Sequence, residues 1–148
     1  MDYIHPQNVG YHSVDKSEDH MDYELVFRPN AGRFEEALVN FPGIWGLHEA
    51  VKMFLEIGTE NVEKYILELV SHAAEGLKSK GYEIISPFAE KERSGNLSFR
   101  HPMVSSEELY EKLIKSNVNV AIRAGNLRLS PSIYNDHDEV DKFLKMIR

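Results

Sequence analysis

The sequence predicts an α+β domain, a small and mostly antiparallel sheet covered by helices. Apolar residues recur at helical spacing over Asn40–Lys80, over Ser106–Lys115 and after Asn135. Strand-like alternation is confined after Gly81 to four short runs. Those runs come in pairs joined by turn-prone segments, which favours hairpins over long crossovers.

Composition sets the outer limits. A chain of 148 residues that is 42% hydrophobic fits one globular domain, long enough to bury roughly two thirds of its unfolded surface. Seventeen basic and 24 acidic side chains give a net charge of −7. With no basic cluster, nucleic acid and anionic membranes are poor partners, and small molecules or proteins are favoured. No apolar run approaches the roughly 20 residues that span a bilayer, and the N-terminus has no signal-peptide core. The absence of cysteine removes disulfides, thiolate metal sites and cysteine nucleophiles from the chain. A cytoplasmic location is the expectation.

Residues 1–39 read as an extended arm or linker, and residues 40–148 as the folded domain. The arm is polar, broken by Pro6, Gly10, Pro29 and Gly32, and acidic from Asp15 to Asp22. Only Tyr23–Phe27 has strand character. So long a segment with little structure of its own makes sense if it runs along another domain or chain; a free terminus is the other reading.

Asn40 caps the first helix, with Pro42 in its first turn and Gly58 at its end. Ile44, Leu47, Val51, Phe54 and Leu55 make its apolar stripe. Gly43 and Gly46 each cost about 1 kcal/mol of helix propensity, which points to a close approach of backbone or ligand or to plain packing. Thr59 is expected to cap the second helix, with Val62, Ile66, Leu69, Val70, Ala73 and Leu77 as its stripe and Lys78-Ser79-Lys80-Gly81 as its stop. Tyr82–Ser86 and Asn96–Arg100 follow as strands joined by the charged segment 90–95. Ser105 and Glu108 fit a capping box, and Val104 with Leu109 a hydrophobic staple, for a third helix over 106–115 that Asn117 ends. Asn135 is expected to cap a last helix that buries Val140, Phe143, Leu144 and Ile147.

Between the third and last helices lies the stretch most suited to a ligand. Val118, Val120 and Ile122 alternate with polar or small residues, and Leu127-Arg128-Leu129-Ser130 resumes the alternation up to Pro131. A two-residue turn at Gly125-Asn126 would pair Ala124 with Leu127 and set Arg123 directly opposite Arg128. Like charges facing across a ladder are unfavourable, so an anion between or beside them is indicated, and a planar carboxylate suits an arginine fork. The competing reading gives one arginine to a helix carboxylate and the other to solvent.

Other chemistry is sparse. His5, His12, His20, His48, His72, His101 and His137 lack metal-ligand spacing, and no metal site is expected. There is no glycine-rich phosphate loop and no serine in a nucleophile elbow.

The segments Arg33–Leu47, Glu56-Ile57-Gly58, Arg123–Pro131 and Tyr134-Asn135 resemble the C-terminal part of class V aminotransferases. These are fold-type I pyridoxal-phosphate enzymes that include cysteine desulfurases, kynureninase and isopenicillin N epimerase-like proteins. The resemblance covers residues 11–148 and implies the small domain of that fold with the connecting segment before it. It puts Arg128 at the arginine that binds the substrate α-carboxylate and Arg123 at a neighbouring position lining the same cleft. Two departures stand out. The family's Gly-Thr is Ala37-Leu38 here, so the threonine that reaches the cofactor phosphate of a neighbouring subunit is missing. The family's desulfurases carry a persulfide cysteine between the two arginine positions, where this chain has Ala124-Gly125-Asn126-Leu127, which disfavours a sulfur relay.

The resemblance further implies that the Schiff-base lysine belongs to a large domain, and none of this chain's lysines sits in such a setting. No catalytic residue and no bound cofactor are therefore expected on this chain alone, and by itself it should be inactive. Its expected partners are an amino-acid substrate in the complete enzyme, a large pyridoxal-phosphate-binding domain or chain, and further copies of itself. Two functions follow. One is the small-domain portion of an aminotransferase or lyase, expressed as a fragment or assembled with a separate large-domain chain. The other is a non-catalytic carboxylate-binding or regulatory domain that kept the fold.

Overall fold

The computed structural model describes residues 4–147, which fall into two compact units divided between Ala50 and Val51. The first unit is organised on Ser13, which is fully buried. Its hydroxyl accepts from the Gly10 N–H at 3.2 Å and donates to the Glu35 carbonyl at 2.9 Å. The Arg28 N–H donates to the Ser13 carbonyl at 3.0 Å, and Asp15 N–H to the Val26 carbonyl at 2.8 Å. Gly10 lies so close to the Glu36 backbone that a Cβ would not fit. The strand expected over Tyr23–Phe27 does not form: one isolated antiparallel bridge joins Val14 to Phe27. Tyr23 is 86% and Leu25 62% exposed, so the run has no face to bury, and burial of one face is what holds a short strand.

Helix α1 (Phe41–Ile57) crosses the division between the units. Asn40 caps it as expected, its Oδ1 accepting from the Gly43 N–H at 3.1 Å. The apolar stripe is present in the sequence but is not buried; no residue of α1 is. Trp45, Leu47 and Leu55 are 63%, 65% and 69% exposed. Among the described residues a Cβ at Gly46 would meet nothing within 4 Å, and one at Gly43 would meet the Asn40 side chain.

The second unit carries the α+β layers. Helix α2 (Thr59–Ser79) follows α1 after a single residue, Gly58, at φ +87°. That corrects the expected cap: Gly58 holds the cap position and offers no side chain, while Thr59 is already helical. The chain then runs through β1 (Glu83–Ile84), β2 (Leu97–Arg100), α3 (Ser106–Lys115), β3 (Ala121–Arg123), β4 (Asn126–Leu129) and α4 (His137–Met146). This is the expected order of elements, with shorter strands. All ladders are antiparallel and the strands lie in the order β1-β2-β4-β3.

One core serves the sheet and three helices. Leu69, Ala73 and Leu77 of α2 meet Leu97 and Phe99 of β2, Leu127 of β4, Leu113 of α3 and Phe143 of α4, all at most 3% exposed. The α3 cap is Ser105, whose Oγ accepts from the Glu108 N–H at 3.1 Å, and Asn117 leaves the helix at φ +60°. For α4 the cap is Asp136 rather than Asn135, with a full capping box to Glu139. Asn135 instead braces the turn before it, accepting from the Ser132 N–H and donating to Glu139. Its carbonyl accepts from the Tyr65 hydroxyl at 2.8 Å, tying this turn to α2.

Candidate functional site

The β3–β4 hairpin turns at Ala124-Gly125, not Gly125-Asn126. Ala124 takes φ +49° and Gly125 φ +75°, the two positive values that a tight hairpin turn requires. The register therefore pairs Arg123 with Asn126, Ile122 with Leu127 and Ala121 with Arg128. Arg123 and Arg128 do not face each other directly, which corrects the expected pairing. Moving a turn by one residue moves every pair by two, however, so facing is preserved. Both arginines stay on one face, in a diagonal relation with Cα atoms roughly 7–8 Å apart.

That face is the polar side of the sheet. By register it carries Ser98 opposite Arg128, Arg100 opposite Glu83, and Asn126 opposite Arg123. Leu97, Phe99 and Leu127 point to the core on the other side. The turn is anchored from α3, where the buried Ser106 donates through its hydroxyl to the Gly125 carbonyl at 2.7 Å. Glu83 is taken by Arg100, whose Nε donates to it at 2.7 Å.

Arg128 differs from its neighbours. It is half-buried, and its Nε is buried without a hydrogen-bond partner. The Arg93 Nε is in the same state, but that guanidinium donates through Nη1 to the Ser71 hydroxyl at 3.2 Å. For Arg128 no partner is found among the described residues. A buried guanidinium donor left unmade costs on the order of 1–3 kcal/mol, and among the described residues nothing offsets that cost at the Arg128 Nε. Arg123 is exposed and donates through Nη1 to the Ile122 carbonyl at 3.1 Å.

No lysine occupies the strand positions of this face. Lys16 pairs with Asp22, Lys115 with Glu111, and Lys80 donates to the Ile147 carbonyl. A cleft of about 520 Å³ lined by Leu129, Pro131, Tyr134, Lys142 and Met146 includes neither arginine.

Two of the histidines scattered in sequence, His72 and His137, are brought together at one place. His72 and His137 stack edge to face at 5.2 Å, His72 against Asp141 at 2.7 Å and His137 against Glu68 at 3.3 Å. The available signal was the i, i+4 spacing of Glu68 with His72 and of His137 with Asp141. Among the described residues no group of three or more ligating side chains is placed to hold a metal ion, and no helix is long and apolar enough to cross a membrane.

Comparison with known proteins adds a family and a set of folds. The chain matches the family described as aminotransferase class-V over residues 4–143. It is similar to the apo structure of a cysteine desulfurase from Thermococcus onnurineus NA1, with 24% identity and a TM-score of 0.79 over 95% of this chain and 38% of that one. A variant of the protein C-DES with glycine covalently linked to its pyridoxal-phosphate cofactor shares 20% identity and a TM-score of 0.81, over 96% and 37%. A NifS-like protein shares 28% identity and a TM-score of 0.67, over 82% and 36%. No curated protein matches the sequence. The chain thus spans little more than a third of the solved chains it resembles.

Proposed function

The chain belongs to the aminotransferase class-V family, and from that premise we propose that it is the small-domain portion of a pyridoxal-phosphate-dependent aminotransferase or lyase acting on an amino acid. Its contribution is Arg128, which holds the substrate α-carboxylate, with Arg123 beside it on the same sheet face. The observation that carries this reading is the Arg128 guanidinium on a polar sheet face, for which no hydrogen-bond or ion-pair partner is found among the described residues. A carboxylate matches a guanidinium fork in charge and shape.

The face does not fit pyridoxal phosphate by itself, because no lysine there can hold its aldehyde. No reaction step is assigned to this chain alone, and it is expected neither to bind the cofactor nor to turn over. The proposed partner is a large domain or chain that carries the lysine. The same lack of lysine favours a second reading, a non-catalytic carboxylate-binding or regulatory domain built on this fold.

Assembly with a large pyridoxal-phosphate-binding domain of the family separates the two. In an assembled enzyme, Arg128→Lys lowers kcat/KM for the amino acid by about 2–4 kcal/mol and leaves cofactor affinity unchanged. An assembled, cofactor-loaded complex without turnover would favour the non-catalytic reading.

A further inference from the structure

We infer that the ligand of this face carries two anionic groups, an α-carboxylate at Arg128 and a second carboxylate or equivalent oxyanion at Arg123, so that the substrate class is an acidic amino acid. This rests on the reading of Arg128 as a carboxylate anchor and extends it to the neighbouring residue.

The first support is charge. The strand positions of the face carry three arginines, Arg100, Arg123 and Arg128, and one acid, Glu83. Glu83 is used by Arg100 at 2.7 Å. Arg123 and Arg128 are left with no carboxylate among the described residues, in a chain whose net charge is −7. Two guanidinium groups on neighbouring positions repel each other until counter-charge arrives.

The second support is geometry. The observed register separates the two arginines diagonally, so their Cα atoms lie roughly 7–8 Å apart instead of the closer spacing of a directly opposed pair. A single carboxylate has two oxygens and is filled by one fork. Two forks on one face, both without a carboxylate among the described residues, suit two anions linked by a short aliphatic chain, which is the chemistry of a dicarboxylate. Among the described residues Arg123 donates one bond, from Nη1 to the Ile122 carbonyl at 3.1 Å. Its Nε and Nη2 stay available at an exposed position. Asn126, opposite Arg123, donates through Nδ2 to the Ala124 carbonyl at 3.0 Å and so holds the turn beneath that arginine.

The test compares butyrate with succinate, which have the same carbon count but one and two carboxylates, at constant ionic strength. The Nε–Hε signals of Arg123 and Arg128 in the nitrogen-15-labelled chain report binding at each residue. Succinate is expected to move both signals and to bind about tenfold tighter than butyrate, the gain of a linked second contact. Arg123→Gln is expected to abolish the advantage of succinate over butyrate. Equal affinities, with only the Arg128 signal moving, would overturn the second subsite and leave the Arg128 reading standing. No movement of the Arg128 signal with either ligand overturns both.

Discussion

His72 Nε2 lies 2.7 Å from Asp141 Oδ1 and thereby links α2 to α4. This hydrogen bond, ahead of the charges of His72, Lys145 and His137, holds the Asp141 carboxyl below its ordinary value. A carboxyl with a lower pKa in the folded state stabilises the fold above its unfolded value. That contribution is lost as pH falls through the folded value. Asp141→Asn is therefore expected to lower the melting temperature at neutral pH, with the difference from the parent chain shrinking below about pH 4. Thermal melts across an acid series check this, and a difference that grows on acidification contradicts it.

Gly76 sits where α2 meets α4, and a Cβ there would come within 2.8 Å of both Leu144 methyl carbons. Alanine gains about 1 kcal/mol of helix propensity over glycine, but forcing a methyl into a filled core costs typically about 1–3 kcal/mol. Because Leu144 is only 8% exposed, it has little room to move. Gly76→Ala is expected to be destabilised in urea titration, and Leu144→Val to restore part of the loss. A Gly76→Ala chain more stable than the parent would contradict the packing described.

Phe99 and Trp45 are large aromatics with opposite expected behaviour. Phe99 is fully buried between Tyr82 and Phe143, with ring centroids 5.8 and 6.0 Å away, and Phe99→Ala is expected to cost about 3–5 kcal/mol. Trp45 is 63% exposed on α1, so Trp45→Glu should change folding stability by less than about 0.5 kcal/mol. Its effect should appear in association instead, since exposed apolar patches drive self-assembly. Sedimentation across micromolar concentrations is expected to show oligomers of the parent chain and a shift toward monomer for Trp45→Glu. A parent chain that stays monomeric throughout contradicts this.

Features set by nearby residues were legible in the sequence. The Asn40 and Ser105 caps, the α2 stripe and the buried side of α4 each follow from spacing within a turn or two. Features that depend on a partner surface were not. The α1 stripe reads as core, yet Leu47 and Leu55 stay exposed, and Tyr23–Phe27 reads as a strand but finds one bridge. The hairpin turn was misplaced because Ala124 adopts a positive φ, which a non-glycine residue rarely does. The common face of Arg123 and Arg128 survived that error through the two-residue parity of strands. The unpartnered Nε of Arg128 depends on tertiary burial and leaves no trace in local sequence.

The most direct measurement for the central claim is the paired determination of melting temperature and butyrate affinity for the parent chain and Arg128→Lys. A carboxylate anchor loses its bidentate fork on this change but no internal bond. The melting temperature is therefore expected not to fall, since the change also removes a buried donor without a partner, while butyrate binding weakens about tenfold, or 1.4 kcal/mol. A lower melting temperature with unchanged butyrate affinity would make Arg128 a structural residue and contradict the account.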